Sequence, residues 1–149
     1  MPTPAWMACL IATASAYHIP QPVLTGIYHV EGGAVGTVAH NKNGTDDLGV
    51  MQINTSWIPV LSYATGLPSA EVKSRLINDG CFNVAMSGGI FDIYRHEAHG
   101  NIWKAVGYYH SHTTPLALGY QAQVLSAGVA DMLSSIKSKP PTHSIFPKG

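Results

Sequence analysis

A chain of 149 residues, 46% of them hydrophobic, is long enough for one globular domain built on a single core. Lys and Arg number 8, Asp and Glu number 8, and only 11% of residues are charged, so the formal net charge is zero and there is no electrostatic footprint for nucleic acid or another polyanion. No apolar run reaches the about 18 residues that cross a bilayer, so no integral membrane segment is expected, and 15 Gly and 10 Pro argue against a coiled coil.

The first apolar stretch, Ala5 to Tyr17, has the length of a signal-peptide core, but no Lys or Arg precedes it. Thr3 and Pro4 read instead as the N-cap and first turn of the opening helix of the domain. Helical spacing runs through Trp6, Leu10, Ala14 and Tyr17, and again through Val23, Leu24, Ile27 and Tyr28, where Gly32 and Gly33 stop the second helix and leave Glu31 in its last turn. The helical period disappears between residues 36 and 54, and Asn43-Gly44 is the dipeptide that a type I′ turn prefers, which predicts a short irregular hairpin. Further helices are expected at about 55–65, 69–78, 81–97, 102–111 and 115–137. The fold class is mainly α with a small β-hairpin, in one domain over residues 1–138, followed by a flexible tail at 139–149. Cys9 and Cys81 are too few for a zinc cage; they permit one disulfide or two buried thiols, and counting does not decide between them.

Among the eight acidic residues, Glu71, Asp79, Asp92, Glu97 and Asp131 fall on expected helix surfaces or turns, where solvation explains them. Glu31 is different. The negative end of the helix dipole and partial burial both disfavour its anion, the condition that keeps a carboxyl protonated as a general acid. Asp46 and Asp47 follow the Asn-Gly turn, where a returning strand brings a carboxylate back across a cleft from Glu31, and two facing carboxyls point to glycosidic-bond chemistry.

Val30-Glu31-Gly32-Gly33, then Gly49-Val50-Met51-Gln52-Ile53-Asn54, then Ala105-Val106-Gly107-Tyr108-Tyr109-His110 resemble the peptidoglycan lytic transglycosylases, in particular the small branch associated with secretion systems, conjugation and pilus assembly. The resemblance covers residues 6 to about 125 in the family's order. The block Asp47-Leu48-Gly49-Val50-Met51-Gln52-Ile53-Asn54 is also similar to one in animal lysozymes, which implies a lysozyme-like fold. In the same branch an early Cys is tied to a later Cys-x-Asn-Val, so the resemblance implies a Cys9 to Cys81 disulfide and an extracytoplasmic, periplasmic location, with the export signal outside this chain.

The resemblance implies peptidoglycan glycan strands as substrate, components of a secretion or pilus apparatus as partners, and no cofactor or metal. Glu31 is the implied acid and base, and Asp47 the candidate second carboxylate. Gly49, Met51, Gln52 and Asn54 are the implied substrate-binding block; Tyr109 is the tyrosine implied to orient Glu31 through its hydroxyl, and His110 stands where larger transglycosylases carry Asn. Gly32 departs from the family, which usually has Ser after the catalytic Glu. Two alternatives accompany transglycosylation: a lysozyme-like muramidase using Glu31 and Asp47, and a wall-binding assembly factor of weak or no activity. His96-Glu97-Ala98-His99 is one residue short of a zincin helix and reads as surface histidine, and Gly32 to Gly36 follows a helix where a phosphate-cradling loop follows a strand.

Overall fold

The computed structural model describes residues 3–111 and 114–138; the expected tail at 139–149 lies outside them. In chain order the elements are α1 (Trp6–Ala16), α2 (Gln21–Glu31), β1 (Val38–His40), β2 (Asp46–Leu48), β3 (Ile53–Asn54), a 3-10 turn (Thr55–Trp57), α3 (Ile58–Thr65), α4 (Ser69–Asn78), α5 (Gly80–Glu97), α6 (Ile102–His110) and α7 (Thr114–Ser138). The mainly α fold with a small sheet is as the sequence predicts. The sheet has three strands in the order β1-β2-β3, both pairs antiparallel, with Ala39 opposite Asp47 and Asp47 opposite Asn54.

Three local expectations are corrected. Thr3 does not cap α1: the helix begins after Ala5 without a side-chain cap, and the Met7 N–H donates to the Pro4 carbonyl at 3.0 Å. The 43–44 turn is not type I′, because Gly44 takes a positive φ of 87° and Asn43 does not. Asn43 Oδ1 instead accepts from the Thr45 N–H at 3.0 Å and the Thr45 hydroxyl at 2.6 Å, a local side-chain turn that competes with the left-handed conformation. The single helix expected at 55–65 begins as a 3-10 turn, capped by Asn54 Oδ1 accepting from the Ser56 N–H at 2.9 Å, and becomes α-helical at Ile58, with Pro59 in its first turn.

Leu10, Leu24, Ile27, Leu48, Val50, Met51, Leu76, Val84, Phe91, Val106 and Val124 form a core shared by the helices and the hairpin. Helix α2 lies against α7 with backbones in close approach: a Cβ at Gly26 would sit 2.6 Å from the Val124 carbonyl oxygen, and one at Gly128 would sit 2.8 Å from that of Pro22. This seam sets α7 beside the C-terminal end of α2. Helix α1 is joined to the start of α5 by the Cys9–Cys81 disulfide, with Cα atoms 5.3 Å apart and 72 residues apart in sequence. Replacing both cysteines with serine is expected to cost about 4 kcal/mol of unfolding free energy, the chain-entropy value for so long a loop. A denaturation midpoint that hardly moves would show that packing alone docks α1.

Candidate active site

Glu31 is the last residue of α2, half-buried where the helix ends at Gly32, whose φ of 65° is left-handed and whose N–H donates to the Tyr28 carbonyl at 2.9 Å. The hydroxyl of Tyr120, from the buried face of α7, donates to Glu31 Oε1 at 2.7 Å. Three influences set the Glu31 carboxyl at about 7, up from 4.5: burial raises it most, the Tyr120 hydrogen bond lowers it, and the negative charge of Asp47 on β2 raises it. Tyr120 is itself 4% exposed, and burial together with the Glu31 charge pushes its hydroxyl far above the usual tyrosine range, so it remains a donor throughout the working pH of a protein.

The implied site residues fall into two groups. His110 stacks flat on the Tyr120 ring, 4.8 Å between centroids and 7° between planes, and with Val30, Glu31, Leu116, Tyr120 and Gln123 it lines a cavity of about 360 Å³. That volume lies at the lower end of the range for small-molecule sites. The carboxyl opens to this cavity, and the charge of Asp47 on the hairpin acts on it.

The hairpin group is turned largely on itself. Asn54 Nδ2 donates to Asp47 Oδ1 at 3.0 Å and to the Thr45 hydroxyl at 2.9 Å. Gln52, at a positive φ of 53°, donates from Nε2 to the Gly49 carbonyl at 2.9 Å. Met51 is fully buried and belongs to the core, and Gly49 occupies a left-handed position, φ 68°, at the start of the turn. The Tyr109 hydroxyl donates to the Met51 carbonyl at 3.3 Å, and the hydroxyl bonded to Glu31 is that of Tyr120. Tyr109 nonetheless stands close enough that, after burial, the charge of Glu31 is the main cause raising its hydroxyl well above the usual range.

Tyr120 is the site residue that sequence reasoning missed. Its spacing with Ala117 and Val124 marks it as inward-facing, but nothing in the sequence pairs it with a residue 89 positions away. A second cavity, of about 280 Å³, lies at the other end of α2 between Pro20, Val23, Trp103, Leu125 and Val129 and has no titratable group in its lining.

The raised carboxyl carries a stability signature. The folded protein holds the Glu31 proton up to about 7 whereas the unfolded chain releases it near 4.5, so the folded state binds more protons between these values. Stability present below pH 4.5 is therefore lost as pH rises through 7, by roughly 3 kcal/mol. Denaturant titrations at a series of pH values should show this loss in the wild type and not in Glu31→Gln. Tyr120→Phe, which removes the stabilising donor, should move the Glu31 titration in a ¹³C NMR experiment to still higher pH.

No family model matches the chain. It is similar to Invasion protein IagB of Salmonella typhimurium, in strains SL1344 and LT2, and of Salmonella typhi: 30% identical over 112 residues, covering 74% of this chain and 66%, just under two thirds, of each relative.

Proposed function

We propose that the chain is a peptidoglycan lytic transglycosylase with Glu31 as its acid and base. The observation that carries this reading is a carboxyl protonated up to about pH 7, held by one oxygen to Tyr120 and set at the edge of a cavity large enough for a small ligand. With Oε1 accepting from the Tyr120 hydroxyl, Oε2, which has no hydrogen-bond partner among the described residues, delivers the proton. It protonates the oxygen linking C1 of N-acetylmuramic acid to N-acetylglucosamine, and the C1–O bond breaks. The carboxylate left behind is stabilised by the Tyr120 donor and then accepts the proton of the muramic 6-hydroxyl, whose oxygen bonds to C1 and closes the 1,6-anhydro ring. The proton returns to Glu31 and no water is consumed.

A second reading is hydrolysis, favoured by Asp47, which lies on the strand facing Glu31 and whose charge acts on it. In that reading Asp47 supports positive charge at C1 while water attacks. The third is a binding factor without turnover, for which the one sequence feature is glycine at position 32 in place of serine. Against it, the Glu31–Tyr120 hydrogen bond forms with glycine at position 32, where a Cβ would meet no atom within 4 Å. The relatives are named for invasion; the same protein in a secretion, conjugation or pilus apparatus would open the wall locally. The disulfide fits an extracytoplasmic, periplasmic place of action, and no helix among the described residues is long and apolar enough to cross a membrane.

Incubation with purified peptidoglycan followed by mass spectrometry of the released muropeptides tests all three. Products one water lighter than the hydrolytic ones are expected from the wild type, and none from Glu31→Gln, which should fold normally; release by that variant refutes the assignment. Asp47→Asn should lower the pH at which activity falls off, because one cause of the raised Glu31 carboxyl is removed, while keeping most of the rate at its optimum. A collapse at every pH, with reducing ends among the wild-type products, would establish the hydrolytic route instead.

A further inference from the structure

The turn between β2 and β3 is buried where most turns are wet: Val50 and Met51 are fully buried, so the peptide groups around them have no water to bond and need partners from elsewhere in the chain. One side chain supplies two of them, at the Met51 N–H and the Leu48 carbonyl. Asn83, on the first turns of α5 and fully buried, accepts at Oδ1 from the Met51 N–H at 2.8 Å and donates from Nδ2 to the Leu48 carbonyl at 2.9 Å and to the Leu76 carbonyl at 2.8 Å. Both amide hydrogens are spent, and both legs of the turn are held by the same group.

What the two legs carry makes this more than a core contact. Leu48 follows Asp47 on β2. Met51, whose N–H Asn83 holds, offers its carbonyl to the Tyr109 hydroxyl at 3.3 Å, and three residues later Asn54 donates to Asp47 Oδ1 at 3.0 Å. The amide enters because position 49 is glycine: a Cβ there would lie 2.4 Å from Asn83 Nδ2 and 2.1 Å from the Leu76 carbonyl oxygen. The base of the clamp is rigid as well. Cys81, two residues earlier, is bonded to Cys9 of α1, and Asp79 caps the helix by accepting from the Phe82 N–H at 3.0 Å.

We propose that Asn83 is a positioning residue of the reaction: its amide sets where the 49–52 turn sits, and through that turn the distance of Asp47 and the orientation of Tyr109 relative to Glu31. The inference rests on Glu31 being the acid. It assigns Gly49 a part in the same device, as the residue whose missing side chain lets the amide through.

The groups facing Glu31 are Tyr120 and His110 from the α6–α7 side, Tyr109 from α6 and Asp47 from β2, and of these the Asn83 amide governs the last two. Loosening it lets Asp47 withdraw and water enter, and both changes ease ionisation of the acid. The test uses Asn83→Ala, which removes all three hydrogen bonds and adds no charge, and Asn83→Ser, each in the disulfide-bonded protein and checked for fold by circular dichroism. Two readouts are taken. In the absence of any substrate, the Glu31 carboxyl followed by ¹³C NMR should titrate at lower pH than in the wild type in either variant. With peptidoglycan, kcat per folded molecule should fall about tenfold or more, consistent with the up to about 100-fold cost of a misplacement near 1 Å, and the alkaline limb of the pH profile should move down with the titration.

A purely structural asparagine would lower the melting temperature and leave the Glu31 titration and the pH limb where they are; that result overturns the proposal. So does loss of fold in both variants, which would make the residue part of the core and nothing more. If the wild type releases no muropeptides, the assignment of the reaction fails, whereas the substrate-free titration still decides whether Asn83 positions the hairpin against Glu31.

Discussion

A carboxyl withdrawn from water at the end of a helix, with one tyrosine hydroxyl to hold it, is the constraint from which the rest of this structure follows. Burial alone favours the neutral acid, and the Tyr120 hydrogen bond favours the anion; the balance leaves Glu31 at about 7, where it can both give and take a proton in neutral solution. Either influence by itself would spoil that. With burial and no donor the acid would not readily release its proton, and with the donor in open water it would not hold one.

Keeping both in force requires α7 to be fixed against α2 along its length. The glycines at 26 and 128 let the two backbones approach at Val124 and at Pro22, and the tyrosine is thereby brought to the helix end. The same carboxyl needs a second wall, and the sheet provides it. The hairpin polar groups mostly satisfy one another, Asn54 with Asp47 and Thr45, Gln52 with the Gly49 carbonyl. This self-sufficiency makes the sheet a rigid electrostatic surface, with the negative charge of Asp47 at a fixed place in front of the acid.

Such an arrangement stores instability at the site. A neutral carboxyl that ionises within the physiological range costs the folded state stability on the alkaline side. The scaffold around it has compensating strength: the disulfide that closes a loop of 72 residues, helix starts capped by Asp79 and Asn101, and a core that runs without interruption from α1 through the hairpin to α7. The perturbed carboxyl lies where the end of α2 meets α7 and the charge of Asp47 on β2, and the strong contacts lie behind it.

Much of this is legible in the sequence. Local periods place the helices, because burial of one face imposes 3.6-residue spacing wherever a helix meets a core, and the glycines after Glu31 mark the helix end. The hairpin is readable from Asn43-Gly44, though its turn type is not, since an Asx contact to Thr45 outcompetes the pair of left-handed residues that the dipeptide allows. The Met-Gln-Ile-Asn run stands out in the sequence, but the use of its side chains does not: Met51 is buried in the core and Asn54 bonds within its own hairpin. What the chain alone determined is therefore which residues are available and in which local conformations, set by short-range sterics and periodicity. The tertiary structure decided which of them meet Glu31, because Tyr120 lies 89 residues beyond it and Asn83 acts on carbonyls up to 35 residues away, and such pairings depend on packing across the whole core.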